Sequence, residues 1–357
     1  MEDITIIQPD DFHHHLRDGE ILKMTVSKAA EKFGKLVVMP NLIPPVVNVE
    51  MATKYKERIE TCMNDRGYND NLETNKFNPL MTLYLTNETT EEIIKQVSET
   101  DWIIGFKYYP KHATTNSKYG ISYMFDIGEQ LSAMEKYNVP LLIHGETTNP
   151  ETDIFDKEDV FIETIMYRLI KEYPNLKITL EHITTSKAVE FVLNAGDNVG
   201  ATITPHHLWL NRNDIFKNGI NPHYYCLPIL KRQRDQKRLI EVATSGNPKF
   251  FLGTDSAPHY ENKKLSSCGC AGIYNSPVAI ELCATIFENE NALDKLEAFT
   301  SINGAKFYGY NINSKKIRLV KENWKMQDKY YVDFNNKNSS IVPLMSGKIV
   351  EWKIFNN

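Results

Sequence analysis

Short apolar or β-branched runs recur along this chain, separated by segments with helical apolar spacing, and this alternation narrows the possible folds more than any other feature. Eight such runs can be read: Ile4 to Ile7, Lys35 to Met39, Leu80 to Leu85, Trp102 to Lys107, Val139 to His144, Lys177 to Glu181, Val199 to Ile203 and Phe250 to Gly253. Predicted helices lie between them, at Val47 to Met63, Glu91 to Ser98, Phe125 to Tyr137, Lys157 to Tyr173, Ser186 to Leu193 and Arg234 to Thr244. Repeated βα units imply a parallel sheet, and eight of them over about 250 residues match an α/β chain folded as a (β/α)8 TIM barrel. The competing architecture, an open doubly wound sheet, lacks the Gly-x-Gly-x-x-Gly turn that would support it.

The chain has 357 residues, so a barrel leaves a remainder. We assign residues 1–310 to the barrel, with further helices near Pro277 to Phe287 and Leu293 to Phe307. Residues 311–357 carry short alternating runs, Tyr330 to Val332 and Lys348 to Trp352, and read as a small β-rich C-terminal extension packed on the barrel. The stretch Asn64 to Asn78 is polar throughout and reads as a surface insertion.

A hydrophobic fraction of 41% supports a sizeable core, and a net charge of −5 argues against a nucleic-acid partner. The densest basic stretch, Lys231 to Arg238, is interleaved with polar residues and reads as a solvated helix face. The N-terminus has neither the basic flank nor the apolar core of a signal peptide, and no run has the length of a membrane span. A soluble cytoplasmic protein is expected, with no membrane partner. The five cysteines have no framework spacing, so free thiols are expected.

The chemistry collects where strands end, which is the active-site face of this fold. His13 and His15 follow the first predicted strand, Lys107 closes the fourth, His144 closes the fifth, His182 follows the sixth and Asp255 follows the eighth. Side chains alternate along an extended chain, so His13 and His15 point one way and His14 another. Each residue taken singly has another reading: His144 and His182 as core histidines, Asp255 as a helix cap, Lys107 with its ammonium snorkelling outward. Together they hold more ligands than one zinc needs, and two metals are the simpler account. Between two cations an ammonium at Lys107 would repel; as its carbamate the same side chain becomes an anionic bridge.

Several motifs resemble those of the dihydroorotases, in the short bacterial-type form of the amidohydrolase superfamily. They are Phe12-His-His-His-Leu-Arg-Asp18, Met39-Pro-Asn-Leu42, Phe106-Lys-Tyr-Tyr-Pro110, Leu142-Ile-His-Gly-Glu146, Glu181-His-Ile-Thr-Thr185, Tyr225-Cys-Leu-Pro-Ile-Leu-Lys231 and Gly253-Thr-Asp-Ser-Ala-Pro-His259. The resemblance implies one zinc on His13, His15 and Asp255 and a second on His144 and His182, bridged by N6-carboxylated Lys107 and a hydroxide. It implies the reversible zinc-dependent interconversion of L-dihydroorotate and N-carbamoyl-L-aspartate, the ring-closing step of pyrimidine synthesis, with Asp255 as catalytic proton shuttle. Arg17, Asn41 and His259 would bind the substrate carboxylate, backbone groups of Leu227 and Ala271 the ring amides, and Thr114 and Thr115 would contact substrate from a loop at residues 111–117. A homodimer is expected from the same resemblance.

Two other readings stand beside this one. A hydantoinase or allantoinase would use the same ligands but usually has a β-rich segment before His-x-His, where here only twelve residues precede His13. A non-catalytic scaffold on the same fold would be expected to have lost ligands. For Arg17 the alternative is a salt bridge to Asp18 or Asp255. His14 is expected to face away from the metals.

Overall fold

The computed structural model describes residues 3–64, 77–333 and 339–355. Eight parallel strands hydrogen-bond in chain order: Asp11–His14, Lys35–Val38, Asn78–Tyr84, Ile103–Tyr108, Leu141–His144, Ile178–Glu181, Val199–Ile203 and Phe250–Leu252. The last returns to the first through Asp255 N–H donating to His13 O (2.8 Å) and His15 N–H donating to Ser256 O (3.1 Å), which closes the expected barrel. Apart from Asn78, every residue of these strands is buried, as befits parallel strands covered on both faces.

One expected strand belongs elsewhere. Asp3–Ile7 is a strand, but it pairs antiparallel with Lys316–Lys325, which in turn pairs with Ile349–Phe355. Its alternating exposure, with Ile6 buried and Asp3 and Thr5 exposed, is that of a half-solvated antiparallel strand. The histidine run itself supplies the first barrel strand, so His13 and His14 lie within it rather than after it. The N-terminus thus completes the sheet made by the C-terminal extension, which docks through Trp352, fully buried in the main core.

Among the helices, Glu91–Ser98 matches its predicted bounds, with Thr90 accepting from Ile93 N–H as N-cap. The predicted helix Lys157 to Tyr173 is interrupted by a π-helical turn at Ile162–Met166. A further helix, Glu20–Ala30, escaped the apolar pattern because it buries Thr25 and Ser27 as well as Leu22, Met24 and Val26. Of the predicted insertion, residues 65–76 lie outside the described residues. None of the five cysteines forms a disulfide, and among the described residues no helix is long and apolar enough to cross a membrane.

The lower barrel is a packed plug. Phe12, Val37, Met39, Leu80, Ile104, Leu142 and Phe251 fill it together with Ala305, from the helix Asn303–Tyr308. Phe12 stacks on Tyr308 with centroids 5.5 Å apart and meets Phe251 edge-on at 5.4 Å. A β-carbon added at Gly304 would lie 2.3 Å from the Phe12 ring, which those neighbours keep from moving aside. Gly304→Ala is therefore expected to cost about 1–3 kcal/mol despite alanine's better helix propensity, read as a fall in thermal midpoint. An unchanged or raised midpoint would show that the ring can yield.

Candidate metal centre

Strand ends bring the predicted ligands together over the packed plug. The His13 ring centroid lies 5.3 Å from that of His15 and 4.9 Å from that of His182, and His144 lies 4.9 Å from His182. Asp255 Oδ1 is 3.1 Å from His15 Nε2 and 3.4 Å from His13 Nε2, and ligand atoms of these three residues all lie within 4.8 Å of one another. Lys107 is wholly buried rather than snorkelling, and its charge is felt at His13, His182 and Asp255. His182 (φ 41°) and Asp255 (φ 46°) have left-handed backbones, a strained conformation that clusters at functional sites.

Donor chemistry tests whether this cage suits a cation. His13 Nδ1 is 2.6 Å from Glu181 Oε2, which fixes the proton on Nδ1 and leaves Nε2 bare toward Asp255. His144 Nε2 is likewise 2.7 Å from Glu146 Oε2. His13 Nε2, His182 Nδ1 and Lys107 Nζ are buried without a hydrogen-bond partner in the described structure. Bare imidazole nitrogens facing a buried carboxylate repel one another unless a cation stands between them, and the set fits a metal. Burial, reinforced by neighbouring cations, holds His13, His15 and His182 well below the usual imidazole range, so they present lone pairs. Burial also lowers Lys107 to about 8, which makes its neutral amine accessible, and raises Asp255 and Glu181 to about 7 each.

Beside the cage lies a small cavity, whose walls include Arg17, Asn41, Thr114, Thr115, Leu227 and Ala271 as well as His13, His15, His144, His182 and Asp255. Arg17 reaches it by a turn, not by continued extension: its φ is 63°. Asp18 pairs with Arg58 instead, and among the described residues no carboxylate lies within ion-pairing distance of Arg17. Arg17 Nε donates to Pro258 O (3.2 Å), while Nη2 lies 3.0 Å from His259 Nε2. That same His259 nitrogen is 2.9 Å from Ala271 O. One nitrogen cannot both accept from the guanidinium and donate to the carbonyl, so an anion accepting from Arg17 would relieve the conflict. The segment at residues 111–117 lies over the cavity, with Thr115 Oγ1 donating to Ala271 O at 3.4 Å.

Some participants were invisible in the motif reading. Tyr109 lines the cavity, two residues after Lys107 and just past the end of the strand Ile103–Tyr108, and its buried hydroxyl has no hydrogen-bond partner among the described residues. Glu158 accepts from the backbone N–H groups and hydroxyls of Thr184 and Thr185, bracing the turn just after His182. Asp11 accepts from His13 N–H, Thr254 N–H and the Thr254 hydroxyl, and pairs with His14 Nδ1 at 2.7 Å. His14 is absent from the cavity wall, as expected, but it is fully buried in the joint that closes the barrel. His206, His207 and Cys226 form a second close group. Both ring nitrogens of His207 are already engaged there, by Thr204 Oγ1 at 2.8 Å and Pro228 O at 3.0 Å, and the group reads as structural.

Residues 6–317 match the amidohydrolase family. The chain is 49% identical over 354 residues to the dihydroorotase of Acaryochloris marina, covering 99% of each. Its fold is similar to the crystal structure of dihydroorotase from Campylobacter jejuni, at 34% identity and a TM-score of 0.88, covering 99% of this chain and 98% of that one. It is also similar to the Saccharomyces cerevisiae dihydroorotase crystallised with 5-fluoroorotic acid, at 30% identity and a TM-score of 0.87, covering 99% of each.

Glu181→Gln keeps the shape of the residue that orients His13 but removes its charge. It is expected to weaken metal binding about tenfold, measured by competition with a chromogenic chelator. Unchanged affinity would remove Glu181 from that role.

Proposed function

The chain belongs to the dihydroorotases of the amidohydrolase family and is a cyclic-amide hydrolase of pyrimidine biosynthesis; from that premise we propose how its residues perform the interconversion of L-dihydroorotate and N-carbamoyl-L-aspartate. The observation that carries the assignment of roles is a guanidinium without an ionic partner among the described residues, beside a cage of bare imidazole nitrogens. The ligand in the yeast relative, a ring bearing a carboxylate, has the two features such a pocket would need.

His13, His15 and Asp255 would hold one zinc and His144 and His182 the second, with Lys107 as its carbamate between them. Bound there, the cations supply Lewis acidity toward the scissile ring carbonyl and lower the pKa of the attacking water. Arg17 takes the substrate carboxylate through its planar fork, which keeps that carboxylate from being presented as the reacting carbonyl. Asn41 and His259 complete this slot, and the backbone of Leu227 and Ala271 holds the amide edge of the ring.

Asp255 Oδ1 faces His13 and His15, which leaves Oδ2 for proton transfer. Without metal, burial raises this carboxyl to about 7; cations bound beside it would favour the carboxylate, the form that accepts a proton. In the hydrolytic direction it accepts the proton of the attacking water and returns it to the departing ring nitrogen; in ring closure the order reverses. Thr114 and Thr115, from the segment covering the cavity, contact the substrate and exclude bulk water.

Purified protein is expected to convert dihydroorotate and N-carbamoyl-L-aspartate in both directions, to lose activity on chelation and to regain it with zinc. His182→Ala should abolish turnover; metal-loaded protein without turnover in either direction would overturn the assignment. Replacing Thr114 and Thr115 together by alanine should lower kcat/KM by about tenfold or more with metal content intact. Unchanged kinetics would show that the segment does not touch substrate.

A further inference from the structure

The covering segment is fastened by a contact that plays no part in the roles above. Asn41 Nδ2 donates to the carbonyl oxygen of Thr115 at 3.0 Å, and Asn116 Nδ2 donates to the carbonyl oxygen of Asn41 at 2.9 Å. The two side-chain amides are therefore reciprocal: each bonds the backbone at or next to the other, and both bonds form only with the segment down. Among the described residues the other side-chain hydrogen bonds from its tip to the barrel rim are long, Thr115 Oγ1 to Ala271 O at 3.4 Å and Tyr84 Oη to Asn116 O at 3.5 Å.

The segment is built to move as a unit. Thr114 N–H donates to Ser117 Oγ (2.9 Å), Ser117 Oγ–H to Thr114 O (2.6 Å) and His112 N–H to Ser117 O (3.1 Å), so its internal bonds survive if it lifts. Asn116 has φ 57°, a backbone conformation that asparagine tolerates better than most residues. Asn41 is 2% exposed. A primary amide carries two N–H protons, so after one is given to Thr115 the other remains for the substrate side of the cavity.

We propose that Asn116 is a positioning residue, which together with Asn41 forms a latch holding the segment at residues 111–117 closed over bound substrate. Asn116 does not line the cavity, so it acts on the reaction only by setting how often the lid is shut. Asn41 links the lid to the carboxylate slot proposed above through one side chain. This inference rests on the substrate reading given above.

Two substitutions separate the latch from the shape of the turn. Asn116→Gly keeps the left-handed backbone and removes the donor; Asn116→Asp keeps the shape and sets an oxygen against the Asn41 carbonyl. Both are expected to retain zinc content and thermal midpoint and to lose about tenfold in kcat/KM for ring closure of N-carbamoyl-L-aspartate. The overall equilibrium is unchanged by the enzyme, so kcat/KM for hydrolysis must fall by the same factor. Hydrogen exchange supplies a readout that a purely structural role would not move. With saturating N-carbamoyl-L-aspartate, which the enzyme brings to equilibrium and does not exhaust, amides at 111–117 should be protected in the parent and much less so in both variants. Parent-like kinetics and protection in Asn116→Gly would overturn the latch, because the turn alone would then suffice. Failure of the unsubstituted protein to turn over either compound would instead overturn the substrate reading.

Discussion

Two backbone hydrogen bonds hold this site together: Asp255 N–H to His13 O and His15 N–H to Ser256 O. They join the first barrel strand to the segment after the last, closing a sheet whose two edges would otherwise stay unpaired. The residues that make them, or flank them, also carry three side chains of the candidate cage, His13, His15 and Asp255. Asp11 reinforces the joint by accepting from donors on both sides of it. Closure and assembly of the cage are thus one event, and the remaining ligands arrive at the same rim because parallel strands all end there.

Burial then sets the chemistry. Removing water disfavours every charge, which moves the imidazoles and Lys107 toward their neutral forms and Asp255 and Glu181 toward protonation. A cation reverses that preference for the acids and uses the lone pairs of the bases. Behind the ligands, Glu181 and Glu146 choose which nitrogen of His13 and His144 is left free. Arg17 repeats the logic on the cavity side, as a buried charge with no carboxylate at ion-pairing distance among the described residues.

Much of this was legible in the chain. The barrel followed from the βα rhythm, and the expectation that six chemistry-bearing side chains meet at one rim followed from strand ends. The first strand was misread for a physical reason: Asp11-Phe-His-His has one apolar residue, whereas Ile4 to Ile7 looks like a strand and is one, in the other sheet. Its period-two exposure distinguishes it from barrel strands, which are buried on both faces. The helix Glu20–Ala30 was hidden because Gly19 gives it no side-chain cap and its buried face includes polar residues. Arg17 does line the cavity beside the histidines, but through a left-handed turn that alternation does not predict.

By itself the sequence determined the residue types and their order: histidines, a lysine and an aspartate at strand ends, an arginine after His-x-His, and hydroxyl-bearing residues in the loop after the fourth strand. Those features are local, since spacing and polarity act through neighbouring residues. Only the tertiary structure decided which nitrogen His13 and His144 leave free, that Arg17 lacks an ionic partner among the described residues, and that Asn41 and Asn116 clasp each other across 75 residues of chain. These depend on distances between segments remote in sequence, and such distances exist only once the barrel has closed.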